Sequence, residues 1–145
     1  MSSGRRSDQR GQALVEFSLA IIVFLVLMMG VFDFGRAIYQ YNGVAQAARE
    51  IARVTAAHAG PDFTTDAGRS AETKAVIATQ KGLIPNLGDP KIACVDIAGN
   101  VIAATCQPGD WIRVEIASTY DPLTPLLGLV GTWTLFSSST SVQLQ

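Results

Sequence analysis

Gly11-Gln12-Ala13-Leu14-Val15-Glu16-Phe17-Ser18-Leu19-Ala20-Ile21-Ile22-Val23-Phe24-Leu25-Val26-Leu27-Met28-Met29-Gly30-Val31-Phe32 is the stretch that decides the fold of this chain. Residues 13–32 are apolar apart from Glu16 and Ser18. At about 1.5 Å per residue, a helix over this run covers the roughly 30 Å hydrocarbon core of a bilayer. Gly30 and the later Gly35 weaken a helix locally, but glycine is common in membrane helices. Glu16 is the anomaly. A carboxylate inside hydrocarbon is costly, so it is a functional hypothesis by default, provided a partner can be named. The plainer reading is that Glu16, in the first turns of the run, snorkels to the cytoplasmic headgroups.

The leader before this run holds Arg5, Arg6 and Arg10 against Asp8, out of eleven basic and twelve acidic residues in all. A basic flank before an apolar helix keeps the N-terminus cytoplasmic, and everything after Phe32 then lies outside the membrane. Removal of residues 1–35 as a secretory signal is disfavoured. The apolar run exceeds a usual signal core, no small-x-small site follows it, and Arg5-Arg6 lacks the apolar neighbours of a twin-arginine signal. The formal charge of −1 over 145 residues gives no footprint for nucleic acid. The length leaves room for one membrane helix and one small domain.

The helix is expected to continue beyond the membrane. Ala37, Tyr41, Val44, Ala48, Ile51 and Thr55 are spaced by four, three, four, three and four, widened by Ile38, Ala45 and Ala52. That is a helical stripe. It is too short to argue for a coiled coil and reads as the face on which the chain's own domain packs. Asp33 and Arg36, and Glu50 and Arg53, can pair one turn apart. Gly60-Pro61 stops the helix, giving a single element from about Ala13 to Ala59. Residues 61–70 read as a loop. A second helix over Ala71–Gly82 is expected, capped by Ser70 or Thr73, with Ala75, Val76, Ile77 and Ala78 as its apolar face and Gly82 as C-cap.

From Lys91 the period changes to two. Ile92–Ile97 and Val101–Cys106 flank Gly99-Asn100 as a hairpin. A three-residue loop would set Cys94 directly opposite Cys106, and a two-residue loop would offset them by one. Two cysteines in an exported segment read as a disulfide. A metal reading is weak, because His58 is the sole histidine and the cysteines are not a C-x-x-C pair. Trp111–Ala117 alternates cleanly, Tyr120–Leu127 is a proline-broken apolar loop, and Thr132–Gln143 is a final strand rich in Thr and Ser. Trp111 and Trp133 are expected to fill the core between sheet and helix.

No catalytic constellation emerges. His58 stands at a helix end with no motif around it. Serines 137–139 and 141 lack the Gly-x-Ser-x-Gly elbow. Asp62 and Asp66 lack the ligand density of a calcium loop. Gly128-Leu129-Val130-Gly131 has no Lys or Ser to make a phosphate loop. The reading is therefore a non-enzyme without cofactor.

Gly11, four residues and then Glu16-Phe17 at the head of an apolar helix resembles the processing site of type IV prepilins, in particular the Flp/Tad group. Val31-Phe32-Asp33-Phe34-Gly35-Arg36-Ala37 resembles the exit segment of the TadE-like family. The Trp-Ile-Arg-Val-Glu-Ile strand, the Tyr-x-Pro-x-Thr-Pro-Leu-Leu loop and the Thr/Ser-rich last strand look like that family's C-terminal half. The region 60–90 matches no pattern. This resemblance implies cleavage by a prepilin peptidase between Gly11 and Gln12, leaving Glu16 as the fifth mature residue. It also implies that Glu16 accepts a salt bridge from the N-terminal amine of a neighbouring subunit's Gln12. The implied fold is α+β and type IV pilin-like: a long N-terminal transmembrane helix extending into a small domain, a short second helix and an antiparallel sheet of about four strands. The implied organisation is a leader over 1–11, a membrane helix over 12–34, its extracytoplasmic continuation over 35–60 and an α+β domain over 61–145. The implied role is a minor pilin or pseudopilin of a Tad-type pilus, since major Flp pilins are much shorter. Its partners would be other pilin subunits, the peptidase, the Tad secretion platform and the membrane. The rival is a single-pass anchored surface domain that binds a ligand or partner without polymerising. Such an anchor has no need of the Gly11/Glu16 arrangement.

Overall fold

A computed structural model of the chain describes residues 5–58, 60, 62–102, 106, 109–124, 131 and 133–143. Its elements in order are helix α1 (Arg5–Ala57), helix α2 (Ala71–Leu83) and strands β1 (Lys91–Val95), β2 (Trp111–Tyr120) and β3 (Trp133–Gln143). The fold is α+β, as the sequence implies. Among the described residues, a long helix lies across a three-stranded antiparallel sheet of order β1-β2-β3.

α1 is one uninterrupted helix, already formed at Arg5 rather than beginning near Ala13. Arg and Gln around Gly11 are good helix formers, so the leader continues the turn instead of breaking it. The helix ends at Ala57, where the His58 N–H still reaches the Val54 carbonyl at 2.9 Å. The chain then doubles back tightly. A side chain at Gly60 would collide with the Gly68 carbonyl, so only glycine fits there. Asp62 organises this turn by accepting the Thr64 N–H at 3.1 Å.

α1 has two environments. From Gly11 to Phe32 its side chains are almost all exposed, and this part is long and apolar enough to cross a membrane. From Asp33 onward one face is covered: Asp33, Gln40, Val44, Ala47, Ala48, Ile51, Ala52 and Thr55 are buried against β2, β3 and α2. The stripe therefore packs on the chain's own domain, as expected, but its lower end is rotated. Tyr41 and Ile38 are both 46% exposed, while Gln40 is buried. The reason is polar. The Gln40 side-chain amide donates to the Pro85 carbonyl at 3.1 Å, to the Thr119 carbonyl at 3.2 Å and to the Ser118 hydroxyl. Backbone carbonyls at the sheet end select a donor there over an aromatic ring.

α2 is capped by Ser70, whose hydroxyl accepts the Thr73 N–H at 3.2 Å. Its buried face is Thr73 and Ile77, with Val76 half-buried; the expected Ala75 and Ala78 are exposed. Gly82 is not the C-cap. The helix runs to Leu83, and the Ile84 N–H closes it on the Gln80 carbonyl at 3.0 Å. Ile84 is buried and lies against Gly43 of α1, so tertiary packing carries the last turn past the glycine.

In the sheet, Ile112, Val114, Ile116, Ser118 and Tyr120 face α1 and are buried. Trp111, Arg113 and Glu115 face outward. The expectation that Trp111 fills the core fails, because strict alternation places it with the charged face, half-buried. The expected packing of Trp133 and the serines at 137 and 138 concern side chains outside the described residues. The hairpin register also differs. Val95 bridges Val101, and the Ile102 N–H reaches the Cys94 carbonyl at 2.8 Å. The turn therefore spans 96–100 and sets Ile102, not Cys106, across from Cys94. Asp96 fixes it by accepting the Asn100 N–H at 2.8 Å and the Asn100 side-chain amide at 3.1 Å. β1 finds its ladder with β2 instead, where Cys94 faces Ile112. The middle of the expected return strand, 103–105, and the stretch 125–130 lie outside the described residues.

Candidate functional site

Two places on α1 carry chemistry. The first is its N-terminal end. Gly11 is exposed, and nothing crowds the position where a side chain would stand. One turn on, the Gln12 side-chain amide donates to the Glu16 carboxylate at 3.2 Å. Glu16 is exposed on the flank of an apolar helix, and the Ser18 hydroxyl turns back to the Leu14 carbonyl at 2.7 Å. Both bonds are made within the helix itself, one of them to a carboxylate with room for further donors. Gln12 and Glu16 come together in the structure because they stand four residues apart on one helix.

The second place is the end of the apolar run. Asp33 is only 3% exposed. Its carboxylate accepts the Leu123 N–H at 3.1 Å, the Thr124 N–H at 3.0 Å and the Thr124 hydroxyl at 2.6 Å. The Tyr120 hydroxyl donates to the Asp33 main-chain carbonyl at 2.7 Å and lies 3.3 Å from its carboxylate. Arg36 makes the expected pair with Asp33, at 3.6 Å, and also lies over the Tyr120 ring at 5.5 Å from its centre. Burial first, and then the Asp33 charge, push the Tyr120 phenol above its ordinary range, so it remains a donor at neutral pH. A nearly buried carboxylate is tolerable only with this many donors. The result is a clasp that fixes the 120–124 loop to the helix where the apolar run ends.

From the sequence, Asp33 is legible only as a partner of Arg36. Tyr120 and Thr124 carry no signal beyond a proline-broken loop. Both segments stand out separately in the chain, but nothing local says that they touch. Gln40 is missed for the same reason.

Cys94 and Cys106 form a disulfide, with 5.7 Å between Cα atoms. It ties the segment after the Asp96 turn to the buried side of β1, where Cys94 is 1% exposed. His58 is exposed at the helix end. Among the described residues, no three His, Cys, Asp or Glu side chains gather in a way that would hold a metal ion.

Residues 11–53 match the family of TadE-like proteins. The TadE-like segment thus starts at Gly11, runs through the apolar helix and the Asp33 clasp, and ends on the helix face that carries the domain. No curated protein and no solved structure matches the chain. The partners of the TadE-like segment in the clasp, Tyr120 to Thr124, lie well outside the matched residues.

Proposed function

We propose that this chain is a minor pilin or pseudopilin of a Tad-type pilus assembly system, anchored by α1 and processed by a prepilin peptidase. The observation that carries the reading is the division of α1. The lower half of its TadE-like segment is apolar and exposed almost throughout, while one face of the upper half is buried. A helix left bare over that length must find another solvent, first lipid and then the same helices of neighbouring subunits.

In this reading residues 1–11 are the leader, 12–34 the membrane helix, 35–60 its extracytoplasmic continuation and 61–145 the exported domain. The basic leader holds the N-terminus in the cytoplasm. Cleavage between Gly11 and Gln12 frees an amine at the head of the helix. Glu16 exchanges the Gln12 side chain of its own helix for the N-terminal amine of a neighbouring subunit, and that ion pair fixes the axial register of one subunit on the next. The partners are other pilin or pseudopilin subunits, the peptidase and the Tad secretion platform.

The test is N-terminal sequencing of protein recovered from a host that makes the peptidase. The expected first residue is Gln12. Recovery of the full-length chain, or of a chain starting after residue 35, would refute the processing and the register mechanism built on it.

A further inference from the structure

We infer that the 120–124 loop is a second membrane contact: Leu123 enters the outer headgroup boundary of the bilayer that α1 crosses. The inference rests on reading α1 as a membrane span. It adds that the domain touches the lipid surface instead of standing clear of it on a stalk.

Asp33 is buried directly after Phe32. It is the first residue beyond the apolar run, so it stands where the helix leaves hydrocarbon. Its carboxylate holds the Leu123 and Thr124 amides at 3.1 and 3.0 Å. The loop therefore cannot sit higher than the exit of the helix. Thr124 turns inward and is buried, but Leu123 is 75% exposed beside it. An isolated exposed leucine is unremarkable on a soluble surface. This one is fixed by its own backbone to the residue where the apolar run ends, and Phe34, the next residue of the helix, is itself 68% exposed.

The surrounding groups have the chemistry of an interface. Arg36 lies over the Tyr120 ring with its side chain half-exposed, one turn beyond Asp33, and a cation there suits lipid phosphates. Tyr39 and Tyr41 follow, both exposed, and amphipathic aromatics favour that zone. The acidic group nearest in the loop, Asp121, is held by the Asn86 side-chain amide at 3.2 Å, on the side of the domain. Among the described residues, other strongly exposed apolar side chains include Ile97 and Val101, at the turn after β1. They lie beyond the opposite end of β2, since Val95 pairs with Trp111 while Tyr120 meets Asp33. At about 3.3 Å per residue, β2 places them roughly 30 Å away. They make the natural control.

The experiment uses the full chain in phosphatidylcholine–phosphatidylglycerol vesicles. Its native cysteines are consumed by their disulfide, so one cysteine is introduced at a time, as Leu123→Cys, Ile97→Cys or Val23→Cys, and labelled with an environment-sensitive fluorophore. Leu123→Cys keeps the backbone N–H that Asp33 accepts. Lipids spin-labelled near the headgroup should quench the label at 123 at least twofold more than the label at 97, with blue-shifted emission at 123. Lipids spin-labelled deep in the chain should quench the label at 23. Water-like emission at 123, with quenching equal to that at 97 while 23 remains quenched, overturns the loop contact alone. Absence of quenching at 23 overturns the membrane span and the loop contact together.

Discussion

Tyr120→Phe tests whether the clasp at Asp33 secures the domain to its helix. Tyr120 is 4% exposed, and its hydroxyl donates to the Asp33 main-chain carbonyl at 2.7 Å. The substitution removes that donor and nothing else; the ring still fills its site and still faces Arg36. A single hydrogen bond of this kind contributes about 1 kcal/mol net. For a domain of this size each kcal/mol moves the melting midpoint by about 4–8 °C. Tyr120→Ala removes the ring as well, and loss of a buried aromatic costs about 3–5 kcal/mol. The assay is thermal melting of the full chain in detergent micelles, followed by near-ultraviolet circular dichroism, which reports tertiary packing rather than the helix. The expected order is wild type, then Tyr120→Phe a few degrees lower, then Tyr120→Ala far lower. A Tyr120→Phe melt indistinguishable from wild type would show that the hydroxyl holds nothing. A melt as low as that of Tyr120→Ala would show that the partition between ring and hydroxyl is wrong.

Thr124→Val should lower the melt more than Tyr120→Phe, because the lost hydroxyl bond ends on a charged acceptor, while Thr124→Ser should restore it. The Cys94–Cys106 bridge should appear in a non-reducing tryptic digest as peptide Ile92–Arg113 running two hydrogen masses light, since no Lys or Arg lies between Lys91 and Arg113. Its reduction should cost about 3 kcal/mol in the chain-entropy picture for a separation of 12. Glu16→Ala should insert into membranes at least as well as wild type and yet fail to enter pilus complexes; normal assembly would leave Glu16 a snorkelling residue. Asp96 should titrate below the ordinary aspartate value of 3.8, because the Asn100 side-chain amide and then the Asn100 backbone N–H favour its charged form. A lowered folded pKa adds stability that is present above 3.8 and disappears as the pH falls through the folded value. Carboxyl chemical shifts in an acid titration check this, and an unshifted midpoint would contradict the turn geometry.

The sequence by itself determined what depends on short-range periodicity. The uninterrupted apolar run with its single carboxylate gives a membrane-length helix, because hydrogen bonding in hydrocarbon leaves few alternatives. Spacing of three and four from Val44 to Thr55 gives the covered face. Ser70 is one of the two starts the sequence offers for α2, and alternation from Trp111 separates Ile112, Val114 and Ile116 from Trp111, Arg113 and Glu115 without saying which set is buried. Only the tertiary structure decided which segments meet across long separations. Gln40 is buried and Tyr41 exposed because carbonyls of the 85 and 119 segments arrive beside the helix, and no pattern within α1 records that. Cys94 joins Cys106 without the hairpin register that spacing proposes, because the turn fixed by Asp96 sets Ile102 across from Cys94. Asp33 reads locally as a surface ion pair with Arg36. It becomes the anchor of the domain only when Tyr120, Leu123 and Thr124, some ninety residues later, bring it two amides and two hydroxyls. A carboxylate's worth is set by the donors around it, and those donors are assembled by the fold.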